Sequence, residues 1–131
     1  MKILVVDDER IVLESCKRVL GERFDVSLAE SSDRALELIG GEAFSLILVD
    51  IKMPYKDGMT LMRQVKKTWP EIPVIIMSGY VTHETIEEVA RTDAATFLAK
   101  PFTPDELLEA LEKVLKKEKG HGKKESAGDR R

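Results

Sequence analysis

Five short apolar, β-favouring runs alternate with five segments of helical period along the 131 residues, and this alternation restricts the chain to an α/β architecture. The runs are Ile3 to Val6, Val26 to Leu28, Leu46 to Val49, Val74 to Met77 and Thr96 to Leu98. Three of them are apolar without alternation, as strands covered on both faces are, and these are expected at the centre of a sheet. The intervening stripes are Val12, Cys16, Val19 and Leu20; Ala35, Leu36 and Ile39; Leu61, Met62, Val65 and Trp69; and Ile86, Val89 and Ala90. Ser31 and Ser32 are capping candidates for the second helix, which Gly40-Gly41 should stop. Pro70 closes the third helix, and the fourth opens near Thr82. The fifth is the clearest, because Thr103-Pro104-Asp105-Glu106 is a capping box with proline at the first helical position, followed by Leu107, Leu108, Leu111, Val114 and Leu115. Strands each followed by a helix imply right-handed crossovers and an open parallel sheet. Ligands of such sheets sit beyond the carboxyl ends of the strands, where strand order reverses.

The length suits one domain and is too short for two. No apolar run approaches the roughly 18 residues that a membrane span needs. The apolar start at Ile3 to Val6 is too brief for a secretory signal and is interrupted by Asp7-Asp8, so a cytoplasmic, soluble protein is expected. Cys16 is the only cysteine, which removes internal disulfides and cysteine-rich metal sites. The net charge of −3 is unevenly distributed: the last sixteen residues, from Lys116, carry seven basic and three acidic side chains, so the body is more acidic than the whole. Direct contact of the body with nucleic acid is disfavoured, since phosphate binding needs a basic face. The expected organisation is one domain over residues 1–117 and a polar, disordered tail over 118–131.

The strand ends carry the chemistry. The first run ends in Asp7-Asp8, the third in Asp50 and the fourth in Ser78-Gly79, and the fifth leads to Lys100-Pro101. Taken singly, Asp7-Asp8 reads as a helix cap, Asp50 and Ser78 as turn residues and Lys100 as a solvated lysine. Taken together they cannot all be bland, because three converging carboxylates repel one another unless cations intervene. Lys100 supplies one positive charge, and a divalent metal is the natural second source. Oxygen-only ligands favour a hard ion such as Mg2+, and the absence of a histidine and cysteine set argues against zinc. A metal and a lysine beside an aspartate also suit phosphoryl transfer, with Asp50 as nucleophile.

The stretches Ile3-Leu4-Val5-Val6-Asp7-Asp8-Glu9, Leu48-Val49-Asp50-Ile51-Lys52-Met53-Pro54 with Asp57-Gly58, Ile76-Met77-Ser78-Gly79 and Phe97-Leu98-Ala99-Lys100-Pro101-Phe102 occur in order. In this the chain resembles the receiver domain of two-component response regulators, over about Lys2 to Lys117. The resemblance implies a flavodoxin-like, doubly wound, five-stranded parallel sheet in the order 2-1-3-4-5, with five helices. It implies that Asp50 accepts a phosphoryl group from a phosphohistidine on a sensor histidine kinase or histidine phosphotransfer protein. Asp8, Asp50 and the backbone carbonyl of Lys52 match direct Mg2+ ligands, and Asp7 matches an acid that reaches the metal through water. Lys100 matches the lysine that grips phosphoryl oxygens, and Ser78 the hydroxyl residue that swings toward the phosphate. Gly79 matches a small residue whose amide approaches the phosphate, and Phe97 the switch aromatic. Lys52 and Tyr80 match residues that tune the lifetime of the phosphate. Lys100-Pro101, which would be read as trans from sequence alone because only about 5–6% of X–Pro bonds are cis, matches a cis peptide.

These roles imply a switch rather than a multiple-turnover enzyme. Its fourth helix, fifth strand and fifth helix would form a face controlling an output partner or a separate output domain, and that face could also carry a homodimer. A hydrolase built on Asp50 is disfavoured because Lys52 stands where a second acid would protonate a leaving group. A phosphate-independent binding module is disfavoured by the complete set of acids with Ser78 and Lys100. Flavin binding lacks a phosphate loop after the first strand. His83 and His121 have no partners at ligand spacing, and no nucleotide loop would make the chain its own kinase.

Overall fold

The computed structural model describes residues 1–51, 58–79 and 82–127, with 117–127 described as backbone alone. Five strands alternate with five helices: β1 (Lys2–Val6), α1 (Arg10–Leu20), β2 (Asp25–Ala29), α2 (Ser32–Gly41), β3 (Leu46–Asp50), α3 (Gly58–Thr68), β4 (Val74–Ser78), α4 (His83–Ala90), β5 (Thr96–Ala99) and α5 (Pro104–Ala127). The strands form one parallel sheet in the order β2-β1-β3-β4-β5, a flavodoxin-like arrangement. The uninterrupted apolar runs are the three central strands. β3 and β4 are buried along their whole length, whereas β2 and β5 at the edges are mostly half-exposed.

Because successive strand residues point to opposite faces, each central strand serves two cores. Ile3, Val5, Leu46, Leu48, Ile75 and Met77 face Leu13, Cys16 and Leu20 of α1 and Leu107, Leu111 and Val114 of α5. Leu4, Val6, Ile47, Val49, Val74 and Ile76 face α2 and α3, with Val89 of α4 and Phe97 packed at the margin. The sheet therefore carries α1 and α5 on one side and α2, α3 and α4 on the other.

The local signals account for most element boundaries. The Ser31 hydroxyl accepts from the Arg34 amide at 3.1 Å, and the Thr82 hydroxyl accepts from the Thr85 amide at 3.1 Å. The capping box closes in both directions: the Thr103 amide donates to Glu106 Oε1 at 2.8 Å, and the Glu106 amide donates to Thr103 Oγ1 at 3.1 Å.

One expectation needs correction. The inward face of α4 is not the stripe Ile86, Val89, Ala90. Thr85 is the buried residue, Ile86 is 51% exposed and Val89 is half-buried. Thr85 can turn inward because its hydroxyl lies 2.9 Å from that of Thr82, so the core does not receive an unsatisfied polar group. The helix α5 runs as far as Ala127, past the apolar stripe that ends at Leu115. No helix among the described residues is long and apolar enough to cross a membrane.

Candidate functional site

Parallel pairing brings the ends of β1, β3 and β4 to one edge of the sheet. Val6 pairs with Val49 and Asp50 pairs with Met77, so Asp7, Asp50 and Ser78 follow one another across three adjacent strands. The Asp7 amide donates to Ala29 O at 3.1 Å, which continues the β1–β2 ladder one residue past the strand. Ser78 pairs with Ala99, and the Lys100 amide donates to Ser78 O at 2.9 Å, which places Lys100 at the same edge. The Lys100-Pro101 peptide is cis.

The convergence read from the strand ends is present. Asp7, Asp8 and Asp50 each offer a carboxylate oxygen within 4.8 Å of the others. Asp7 and Asp50 are buried, at 0% and 4% exposure, while Asp8 faces solvent. Lys100 Nζ donates to Asp7 Oδ2 at 2.7 Å and to Asp50 Oδ2 at 3.2 Å. Asp7 Oδ1 accepts the Glu9 amide at 2.9 Å, so both oxygens of Asp7 are held by the chain itself. Ser78 is fully buried, with its neighbour Gly79 exposed. Phe97 is half-buried against the core beneath α2 to α4. Lys52 and Tyr80 lie outside the described residues.

The electrostatics follow from burial. Burial pushes the Asp7 carboxyl above its ordinary range; the hydrogen bonds from Lys100 and the Glu9 amide offset this only in part, and the Asp50 charge adds to it. Burial pulls Lys100 down, but the Asp7 hydrogen bond and the charges of Asp50 and Asp7 outweigh it and hold the ammonium above its usual value. Lys100 is therefore a firmly charged cation at neutral pH. Among the described residues, one ammonium against these three carboxylates leaves a negative surplus at a site that offers carboxylate oxygens as metal donors. That donor set fits a hard divalent cation such as Mg2+, with Asp7, Asp8 and Asp50 as the side chains to hold it.

Two residues of the site carry more than their sequence signals suggest. Gly58 opens α3 against the backbone of the nucleophile candidate: a Cβ built there would lie 2.1 Å from Asp50 O and 2.6 Å from Ile51 Cα, so no other residue fits without moving β3. Only this tertiary distance reveals the constraint. Glu9 is the second, since its carboxylate reaches Lys100 Nζ at 3.4 Å. By contrast, a Cβ on Gly79 would meet only Lys100 Cβ at 3.9 Å, an ordinary contact, so packing alone does not require glycine there.

Comparison with known proteins gives a consistent picture. Residues 3–112 match the model of the response regulator receiver domain. The transcriptional regulatory protein ZraR of Escherichia coli K12 is 39% identical over 116 residues, covering 86% of this chain and 26% of ZraR. The response regulator MprA of Mycobacterium avium is 34% identical over 129 residues, 96% of this chain and 56% of MprA. The chain thus spans about a quarter to about half the length of these curated relatives. Among solved structures, a CheY-like receiver domain protein from Methanospirillum hungatei superposes with a TM-score of 0.86 at 31% identity, covering 92% of this chain and 97% of that one.

Proposed function

Because the chain belongs to the response regulator receiver domain family, signalling domains of two-component systems, we propose that it is a phosphorylation switch whose acceptor is Asp50. The observation that carries the reading is the single ammonium of Lys100 bridging Asp7 and Asp50, at 2.7 and 3.2 Å, within a cluster of three carboxylates.

In this reading a carboxylate oxygen of Asp50 attacks the phosphorus of a phosphohistidine on a sensor kinase or phosphotransfer protein. The new O–P bond forms as the P–N bond breaks, and the imidazole leaves with the electron pair of that bond. Lys100, already beside Asp50, extends a hydrogen to the phosphoryl oxygens, neutralising charge where it accumulates. Ser78 supplies a hydroxyl and Gly79 a backbone amide at the same edge. Asp7, Asp8, Asp50 and the carbonyl of Lys52 are the groups that would hold Mg2+, which when bound neutralises the surplus negative charge and offers coordination to phosphoryl oxygens. The chain modifies itself once per cycle and is not a multiple-turnover enzyme.

Movement of Ser78 toward the phosphoryl group, followed by Phe97, would repack α4, β5 and α5 into a second discrete arrangement. That face controls an output partner or an output domain in the same polypeptide, and a homodimer through it is one form the control can take. We assign the switching unit to residues 1–117. Intact mass spectrometry with a small phosphodonor tests the reading: one added phosphoryl group on the wild type, and none on Asp50→Asn or without Mg2+. Labelling that survives Asp50→Asn would overturn it.

A further inference from the structure

Lys100 has three ammonium hydrogens, and three carboxylates lie within reach of them: Asp7 at 2.7 Å, Asp50 at 3.2 Å and Glu9 at 3.4 Å. A phosphoryl oxygen that recruits Lys100 must therefore displace one of these acceptors. The Asp7 contact is short and its carboxylate is fully buried, and Asp50 is itself the attachment point of the phosphoryl group. Glu9, the longest of the three and 65% exposed at its side chain, is the acceptor that can leave into water at least cost.

A second, independent observation concerns the start of α1. Ser31, Thr82 and Thr103 each cap their helix through a side-chain hydroxyl. Glu9 occupies the same position on α1 and makes no side-chain capping bond. Serine, threonine, asparagine and aspartate are the residues that cap well, and glutamate is one methylene too long for the task. The extra length instead carries its carboxylate across to Lys100, while its backbone amide holds Asp7.

We infer that Glu9 is a positioning residue that occupies the third hydrogen of Lys100 in the unphosphorylated state and sets how readily the lysine is released to a phosphoryl oxygen. The inference rests on the Asp50 reading above, from which it can be separated experimentally. An exposed ion pair of this kind changes an equilibrium by about two- to fivefold.

The test titrates beryllofluoride, a phosphoryl mimic, at saturating Mg2+, followed by fluorine NMR, alongside thermal unfolding without either ion. The chains compared are the wild type, Glu9→Ala, Glu9→Asp and Asp50→Asn. Glu9→Ala removes the competing acceptor, and Glu9→Asp keeps the charge at the helix start but loses the reach while gaining the ability to cap. Both are expected to bind beryllofluoride about two- to fivefold more tightly than the wild type. Their melting temperatures should move in opposite directions, Glu9→Ala downward and Glu9→Asp upward, so a stability effect cannot produce the shared gain in affinity. Wild-type affinity in Glu9→Ala would overturn the inference, as would wild-type affinity in Glu9→Asp, which would assign the effect to charge at the helix end. If the wild type takes up no beryllofluoride, or Asp50→Asn takes it up equally, the Asp50 reading fails and this inference fails with it.

Discussion

The two helices that flank β5 are held in different ways. α5 inserts Leu107, Leu111 and Val114 into the core it shares with α1, and its start is closed by a reciprocal capping box. α4, on the opposite side of the sheet, commits only Thr85 fully to the interior and leaves Ile86 half in water. Burying a leucine side chain contributes about 1.5–3 kcal/mol, so three apolar anchors against one threonine make a large difference in how firmly each helix is seated. The proposed output face thus has one fixed wall and one that can be repacked at small cost, which is what a discrete two-state surface needs.

The strongest way to break this comparison is Leu111→Ala. It should cost about 2–5 kcal/mol in urea unfolding, because the fully buried side chain leaves a cavity between α5 and the sheet. A loss under 1 kcal/mol would mean that α5 is no better seated than α4. Next in size is the behaviour of Cys16, which lies in the same core, 1% exposed. Burial above all, with the nearby Asp7 charge adding and Lys100 opposing, pushes its thiol up to about 11. At pH 8 its alkylation should be roughly two orders of magnitude slower than that of a free thiol, rising with pH toward that value as thiolate forms. Labelling at the rate of an unfolded control would show that the α1–α5 core opens readily. The smallest effect sharpens the other side: Ile86→Ala should change the unfolding free energy by no more than about 0.5 kcal/mol. A loss of several times that amount would mean that Ile86 is buried in solution.

Much of this was legible in the residues themselves. Thr103 to Glu106 announces α5 because a capping box is a local device, and the uninterrupted apolar character of Leu46 to Val49 and Val74 to Met77 announces strands covered on both sides. The cluster of Asp7, Asp8, Asp50 and Lys100 was equally accessible, since parallel strands deliver their ends to one edge. What escaped depended on distances between elements. Ile86, Val89 and Ala90 recur at helical spacing, yet Thr85 takes the inward position once Thr82 can satisfy its hydroxyl. Glu9 looked like any acid at a helix start, and nothing local distinguishes one that caps from one that reaches a lysine ninety-one positions away.

Gly58 has a wider meaning for how the third helix is joined to the sheet. Its amide donates to Ile51 O at 3.2 Å, and its lack of a side chain lets α3 start in contact with the carbonyl of Asp50. The first turn of α3 is therefore clasped directly onto the strand end that carries Asp50, and any side chain at position 58 would wedge the two apart. The spacing between helix and strand is thus a property of one missing methyl group, and it lasts only while position 58 remains glycine.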